Sequence, residues 1–423
     1  MNAWLKLELS AGLIVLAAVT IPGTALSQSA REALETRERQ VVARIAAEES
    51  ANGPYSERLV GPLTTLSLLY EEMGEFALVD ASIQRVIQVI RADYGLYSLE
   101  QAPSIRRLIE LEDSRGNAQA AWDLEQELLG IAERHRDDIR TVAILRDTGN
   151  RRFETLRRYI AGEFPPEIVL GCYYDESYAY LKAWTRGSRP LTSLPGGDSL
   201  VSCTSGSRVQ AKQALFGEAQ SLYAEAANII LRNELYSSEE LKELLTALVE
   251  SSHRYGNPAL GRHSLRYLLA YETTNTGEWL PRIEALVRLA DWNLLYSNSG
   301  NGTKAALAAY RQAYDLAQAH GLSRETIEDI FTPDMPVLLP SFVTNPLATD
   351  EASEQSTYID CAFVVTKKGK SDDIEIIDTG GNVTRTARKD LVKLLKRGRF
   401  RPRLVDGQFA DSPRMVVRYY PNG

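Results

Sequence analysis

Two stretches of this chain match themselves at a fixed shift, and that self-similarity restricts the fold more than any other feature. A shift of 42 residues lays Leu63 on Ile105, Leu66 on Leu108, Leu69 on Leu111, Gly74 on Gly116, Val79 on Ala121 and Val86 on Leu128. A shift of 44 lays Leu245 on Leu289, Leu248 on Trp292, Gly256 on Gly300, Leu265 on Ala309 and Leu269 on Ala313. Each unit reads as helix, Gly-containing turn, helix. One helical hairpin cannot bury its apolar face alone, so repeated hairpins must stack on their neighbours. The body of the chain is therefore expected to be a mainly α-helical solenoid, built from two repeat regions at residues 28–161 and 207–331. The matches are degenerate and leave the number of repeats open.

The second pair resembles tetratricopeptide repeats. Leu289-Ala290, Trp292, Tyr296, Gly300, Ala306, Tyr310 and Ala313 follow that family's alternation of small and large residues. Small residues stand where helices cross and aromatic ones fill the gaps. The first pair is similar to a longer kind of such repeat, with Gly53-Pro54-Tyr55 and Gly95-Leu96-Tyr97 leading into its hairpins. The periods of 42 and 44 residues exceed the usual value of about 34. The resemblance implies a scaffold that holds a protein or peptide.

Two segments interrupt the helical pattern. Residues 162–206 hold Pro165-Pro166, Pro190, Pro195-Gly196-Gly197, Cys172 and Cys203, and are expected to form an irregular loop. A Cys172–Cys203 disulfide would pin that loop and contribute about 3–4 kcal/mol on the chain-entropy account. The alternative is two separate buried thiols. The third cysteine, Cys361, falls on the apolar side of an alternating segment and reads as a small buried hydrophobe. Residues 332–357 carry Pro333, Pro336, Pro340 and Pro346 before the acidic run Asp350–Glu354, and read as a moderately stiff linker. Val337, Leu338 and Phe342 are positioned to tack part of it to the helices.

Residues 1–27 read as a secretion signal. Ala11–Ile21 is apolar, Pro22-Gly23 breaks it, and Ala25-Leu26-Ser27 offers small residues for cleavage after Ser27. The run is short for a helix of about 20 apolar residues that would cross a bilayer. A cleaved signal places the protein in the periplasm. An uncleaved one leaves it anchored in the inner membrane, facing the periplasm.

The last part of the chain, residues 358–423, has a different grammar. Ile359, Cys361, Phe363 and Val365 alternate as in a half-buried strand. Lys367-Lys368-Gly369-Lys370 turns the chain, and Ile374–Ile377 returns. Thr384–Arg397 places Ala387, Leu391, Leu394 and Leu395 at helical spacing, with Gly398 as a stop. Phe400-Arg401-Pro402, Asp406-Gly407 and the strand-like Met415–Tyr420 follow. This ordered set resembles the C-terminal domain of TonB, the periplasmic energy transducer. The resemblance covers about a sixth of the chain and implies a small α+β interaction module. It implies that Met415–Tyr420, with Met415, Val417 and Tyr419, is an edge strand that pairs with an extended segment of a partner. A conventional anchor, a long spacer and a Pro-rich entry to the first strand are all missing.

Charge is divided between these parts. The whole chain is −8; from Tyr358 onward 14 Lys and Arg face 8 Asp and Glu, net +6, which leaves −14 for the rest. Arg388, Lys389, Lys393, Arg397, Arg399 and Arg401 crowd onto the last helix and the segment after it, together with Arg385, Lys396 and Arg403. They read either as a solvated face or as a surface that meets an anionic partner or the acidic repeats of the same chain. The secretion signal and the lack of interleaved aromatics argue against nucleic acid.

No constellation for catalysis, cofactor or metal stands out. His135, His253, His263 and His320 are dispersed, and Gly300-Asn301-Gly302-Thr303-Lys304 lacks the Gly-Lys-Ser/Thr order of a phosphate loop. The expectation is a non-catalytic periplasmic adaptor or scaffold, with no cofactor, whose partner is a protein or peptide of the cell envelope, including outer-membrane receptors. The alternatives are a membrane-anchored energy transducer of the TonB type and, further off, an envelope hydrolase with its site in the 162–206 loop.

Overall fold

The structure is a computed structural model, and it describes residues 28–163, 208–275, 277–297, 300–341 and 357–421. The expected secretion signal, Cys172 and Cys203 with their expected disulfide, Phe342 and the acidic run of the linker lie outside the described residues. Those described form thirteen α-helices and a small C-terminal antiparallel sheet. They divide into two compact units, with the boundary between Leu111 and Glu112.

The first unit contains α1 (Gln28–Asn52), α2 (Val60–Met73), α3 (Phe76–Tyr94) and the start of α4 (Ala102–Ser114). The helices α2 and α3 pack as a hairpin. Leu63, Leu66 and Leu69 of α2 and Val79, Ile83, Val86 and Ile90 of α3 are buried. Each such side chain contributes about 1.5–3 kcal/mol of burial. α1 adds only Leu34 and Ile45 to the buried apolar set, and its Glu38 accepts from the Tyr70 hydroxyl at 3.1 Å. Local geometry recurs at the 42-residue shift. Gly74 and Gly116 both take a left-handed φ, 76° and 75°. Ser56 and Ser98 each cap a single 3-10 turn, accepting from the amides of Arg58 and Glu100.

The second unit continues with α5 (Ala118–Arg134), α6 (Thr141–Ile160), α7 (Arg208–Arg232) and α8 (Glu239–Tyr255). Then come α9 (Pro258–Asn275), α10 (Trp279–Leu295), α11 (Gly300–Ala319) and α12 (Arg324–Phe331). α6 packs along α7, α8 on α9, and α10 on α11. Of the pairs matched at the 44-residue shift, Leu245 with Leu289 and Leu248 with Trp292 are buried at both positions, whereas Leu265 is buried and Ala309 half-buried, and Leu269 half-buried and Ala313 buried. The match fails at the turn. Gly256 closes α8, whereas Gly300 opens α11 and α10 is capped by Tyr296. Gly261 of α9 has a packing reason instead: a Cβ there would run into the Trp292 ring.

The C-terminal module belongs to the same unit. It consists of β1 (Tyr358–Val365), β2 (Ser371–Gly380), α13 (Arg385–Arg397), β3 (Arg403–Val405), β4 (Gln408–Ala410) and β5 (Met415–Tyr419). One sheet has the order β2-β1-β5, with both pairings antiparallel and Cys361 opposite Val417. Ile359, Cys361, Phe363, Val365 and Val417 form its buried face with Leu391 and Leu395 of α13 and with Phe400. Thr384 caps α13 by accepting from the Ala387 amide at 3.1 Å. Gly398 ends it in extended rather than left-handed geometry, with φ −59°. Space is the reason for glycine here, because a Cβ would sit 2.9 Å from Leu338 Cδ1 and 3.0 Å from the Leu394 oxygen.

Asp406 and Gly407 take φ of 48° and 73° and join β3 to β4 in a two-residue hairpin. Both central residues of such a tight turn need positive φ, which Asp-Gly supplies. Residues 337–341 are no free spacer. The Leu339 amide donates to the Arg399 oxygen at 2.8 Å, and the Arg401 amide to the Val337 oxygen at 2.9 Å. Val337 packs on the core of α10, α11 and α12, while the neighbouring Leu338 packs on the sheet core. Leu339 and Leu404 are buried in that helical core as well.

Candidate functional site

The strand β5 pairs with β1 along one edge and has no strand on the other among the described residues. Its side chains alternate. Met415 and Val417 are buried, Val416 and Arg418 are exposed, and Tyr419 is half-buried against the sheet core. Met415 and Val417 therefore hold the sheet together, and what β5 offers a partner is its backbone edge with Val416 and Arg418. Arg418 grips Asp360 with two bonds of 2.7 Å and lies 3.9 Å above the Tyr358 ring. Arg414, just before the strand, reaches across to Asp373 at 2.8 Å and to Glu375 on β2. These pairs hold β5 and β2 to a common outer face. Asp360 has a partner that no spacing rule announces, 58 residues away.

On α13, Arg385, Arg388, Lys389, Lys393, Lys396 and Arg397 are exposed and Asp390 is the helix's one acid. Arg388 donates to Thr379 Oγ1 at 3.2 Å. Lys389, Lys393, Lys396 and Arg397 form no ion pair with another described residue. Leu391 and Leu395 anchor the opposite side of the helix, so this cationic stripe faces water. Arg399 is half-buried, and its carbonyl receives the Leu339 amide. Arg403 donates to the Pro333 oxygen at 3.4 Å.

Arg401 departs from the surface set. Its guanidinium is only 12% exposed and is bound to Asp291 of α10, itself 3% exposed. Tyr310 donates to Asp291 at 2.5 Å and Ser341 at 2.9 Å, and Arg401 also donates to the Ile330 oxygen at 3.3 Å. Burial, reinforced by the adjacent Asp291, pushes the Tyr310 hydroxyl well above its ordinary range, so it stays a donor. Arg401 thus fastens the module to the helices and is not available to a partner. The signal for Asp291 was absent from its neighbourhood, because its cation lies 110 residues away.

Among the described residues no group of three His, Cys, Asp or Glu is placed to hold a metal ion. Cys361 is a buried free thiol, and burial pushes its pKa up to about 11, far from a nucleophilic thiolate. No helix of the described residues is long and apolar enough to cross a membrane. No family model matches the chain, and no curated protein is significantly similar to it.

Proposed function

We propose that this chain is a non-catalytic adaptor of the bacterial cell envelope, exported to the periplasm. Its C-terminal module works in the manner of the TonB C-terminal domain it resembles, and its helices form a solenoid of tetratricopeptide-like repeats that holds a protein or peptide. The observation that carries this reading is the open edge of β5. An extended segment of an envelope protein would add to that edge through main-chain hydrogen bonds, with Val416 and Arg418 beside it. The exposed cations of α13 favour a partner with an acidic surface and would speed its approach. Because Arg401 and Leu404 root the module in the helical core, the edge is presented in a fixed orientation to the second unit.

A photo-crosslinking residue placed at Val416 of the full chain, expressed in a Gram-negative host, tests this. The expected result is a discrete envelope-protein adduct at Val416 and none at Val42, an exposed residue of α1. The absence of any adduct at both Val416 and Arg418 would remove the strand-pairing role. Deleting 358–423 is a poorer test, because it strips Leu404 from the helical core.

A further inference from the structure

A cavity of about 410 Å³ opens between α6 and α8, and Asn150, Phe153, Arg157, Tyr223, Arg254 and Tyr255 give it its chemistry. Its wall is a run of rings. Phe153 and Tyr255 stack with centroids 6.3 Å apart at 16°, and Phe153 meets Tyr223 at 5.2 Å. Tyr223 reaches the groove from α7 because residue 149 is glycine; a Cβ there would lie 2.6 Å from the Tyr223 ring. The Tyr223 hydroxyl donates to Asn150 Oδ1, which turns the Nδ2 group of Asn150 into a donor for whatever enters. Burial pushes Tyr223 up to about 12, so it remains protonated in that role.

The rim is cationic. Arg157 and Arg254 are exposed, and Glu250 is the one acid among the described residues that line the cavity. Arg157 pairs with Glu154 at 2.9 Å, but both side chains are more than half exposed, and such a pair exchanges partners at little cost in water. His253, which meets the Tyr296 hydroxyl at 2.8 Å, is held below its ordinary pKa by burial and then by Arg254. At neutral pH it adds no charge. Flat apolar walls, an amide donor and two guanidinium groups that can fork onto a carboxylate meet in one groove.

We infer that this groove takes a peptide segment carrying a carboxylate beside an aromatic side chain. The aromatic ring joins the Phe153–Tyr255 stack, and the carboxylate lies between Arg254 and Arg157. This deepens the reading of the helices as a peptide-holding scaffold and rests on it.

The test is a ligand-observed NMR titration of the full-length protein with N-acetyl-Phe-Glu-amide and its neutral counterpart N-acetyl-Phe-Gln-amide. The acidic peptide should bind about tenfold tighter, the difference expected when charge-assisted hydrogen bonds replace neutral ones. The double substitution Arg157→Gln with Arg254→Gln should erase that preference. Phe153→Leu should weaken both peptides alike. Arg324→Gln, on α12 and outside the groove, should change nothing, and unchanged thermal midpoints establish that each variant is folded. Equal binding of the two peptides, a preference that survives in the folded double variant, or no binding of either peptide overturns the assignment. A Val416 adduct that persists while neither peptide binds refutes the groove and leaves the adaptor reading standing. Peptide binding without any envelope adduct does the reverse.

Discussion

Arg401 lays its guanidinium side-on against the Asp291 carboxylate, with Nη2 2.6 Å from Oδ2 and Nε 3.1 Å from Oδ1. This two-pronged contact joins a residue of the C-terminal module to one of the helical body. Asp291 is otherwise met by Tyr310 and Ser341, so both its oxygens have donors. A buried carboxylate survives only in such company.

Removing one partner should therefore cost far more than removing both. Arg401→Met leaves the Asp291 charge buried and should lower stability by about 3–5 kcal/mol. Adding Asp291→Asn removes that charge while an oxygen remains for Tyr310, so the double variant should recover much of the loss. Urea unfolding of the full chain measures this. A double variant less stable than Arg401→Met alone would show that the pair's own attraction outweighs the burial of its charges.

Salt should barely loosen the module. A contact between a net +6 module and acidic helices would weaken at high ionic strength if it were made of exposed charges, because the Debye length is about 10 Å at 0.1 M and about 3 Å at 1 M. Here the pair is buried, and Leu339 and Leu404 sit in the helical core beside it. Hydrogen exchange of the β3–β4 amides should differ less than about threefold between 0.05 and 1 M salt, apart from the intrinsic rate change. A tenfold or greater loss of protection at 1 M would mean that long-range attraction holds the module down.

The C-terminal elements were legible because their signals are local. Alternation at Ile359–Val365, the helical spacing of Leu391 and Leu395, and a glycine at each boundary lie within a few residues of what they specify. The β3–β4 hairpin carried a signal in Asp406-Gly407, but its strands are three residues each, too short to show a period. The basic run around Arg401 reads either as solvated or as meeting an anionic partner or the acidic repeats of the same chain, and nothing local chooses between them, because the Asp291 that Arg401 binds lies 110 residues back. The proline-rich linker was legible in part: Val337 tacks it to the helical core as expected, whereas Leu338 packs on the sheet core instead. Proline forbids helix, but it does not prevent an extended strap from being held by Arg399 and Arg401. The last strand was legible as a strand, the resemblance implied that it lies at an edge, and the sheet order β2-β1-β5 puts it there.

Cys361 should be inert until the module unfolds. It is fully buried, faces Leu391 and Val417 in the sheet core, and its thiol is pushed up to about 11. Alkylation at pH 8 should leave this thiol intact in the native chain and modify it completely in denaturant, as peptide mass spectrometry would show. Modification within minutes under native conditions would place Cys361 on an exposed or readily opened strand.

The deepest charge in the second unit predicts an unusual pH response. Arg152 bonds Glu125 at 2.7 Å and Glu218 at 2.8 Å, with its guanidinium 3.5 Å from the centre of the Trp122 ring. All three charged side chains are buried, and Arg152 Nη2 and Glu218 Oε2 have no hydrogen-bond partner among the described residues. Arg151 serves Glu125 from the other side, together with Asp113. Glu218 shares Arg152 with a competitor, and burial raises its pKa even though Arg152 pulls the other way. A carboxyl whose pKa is higher folded than unfolded keeps its proton longer in the native state. Its contribution is therefore full below the unfolded value and is lost as pH rises toward the folded one. Glu218→Gln removes that titration and retains a donor and an acceptor of similar shape. Between pH 4.5 and 7.5 the stability of wild type relative to the variant should fall by about 1.4 kcal/mol for each unit of the shift. Urea midpoints across that range provide the comparison, and taking the difference between the two proteins cancels the other carboxylates. Parallel curves for the two proteins would mean that Glu218 ionises in the folded chain as easily as in the unfolded one.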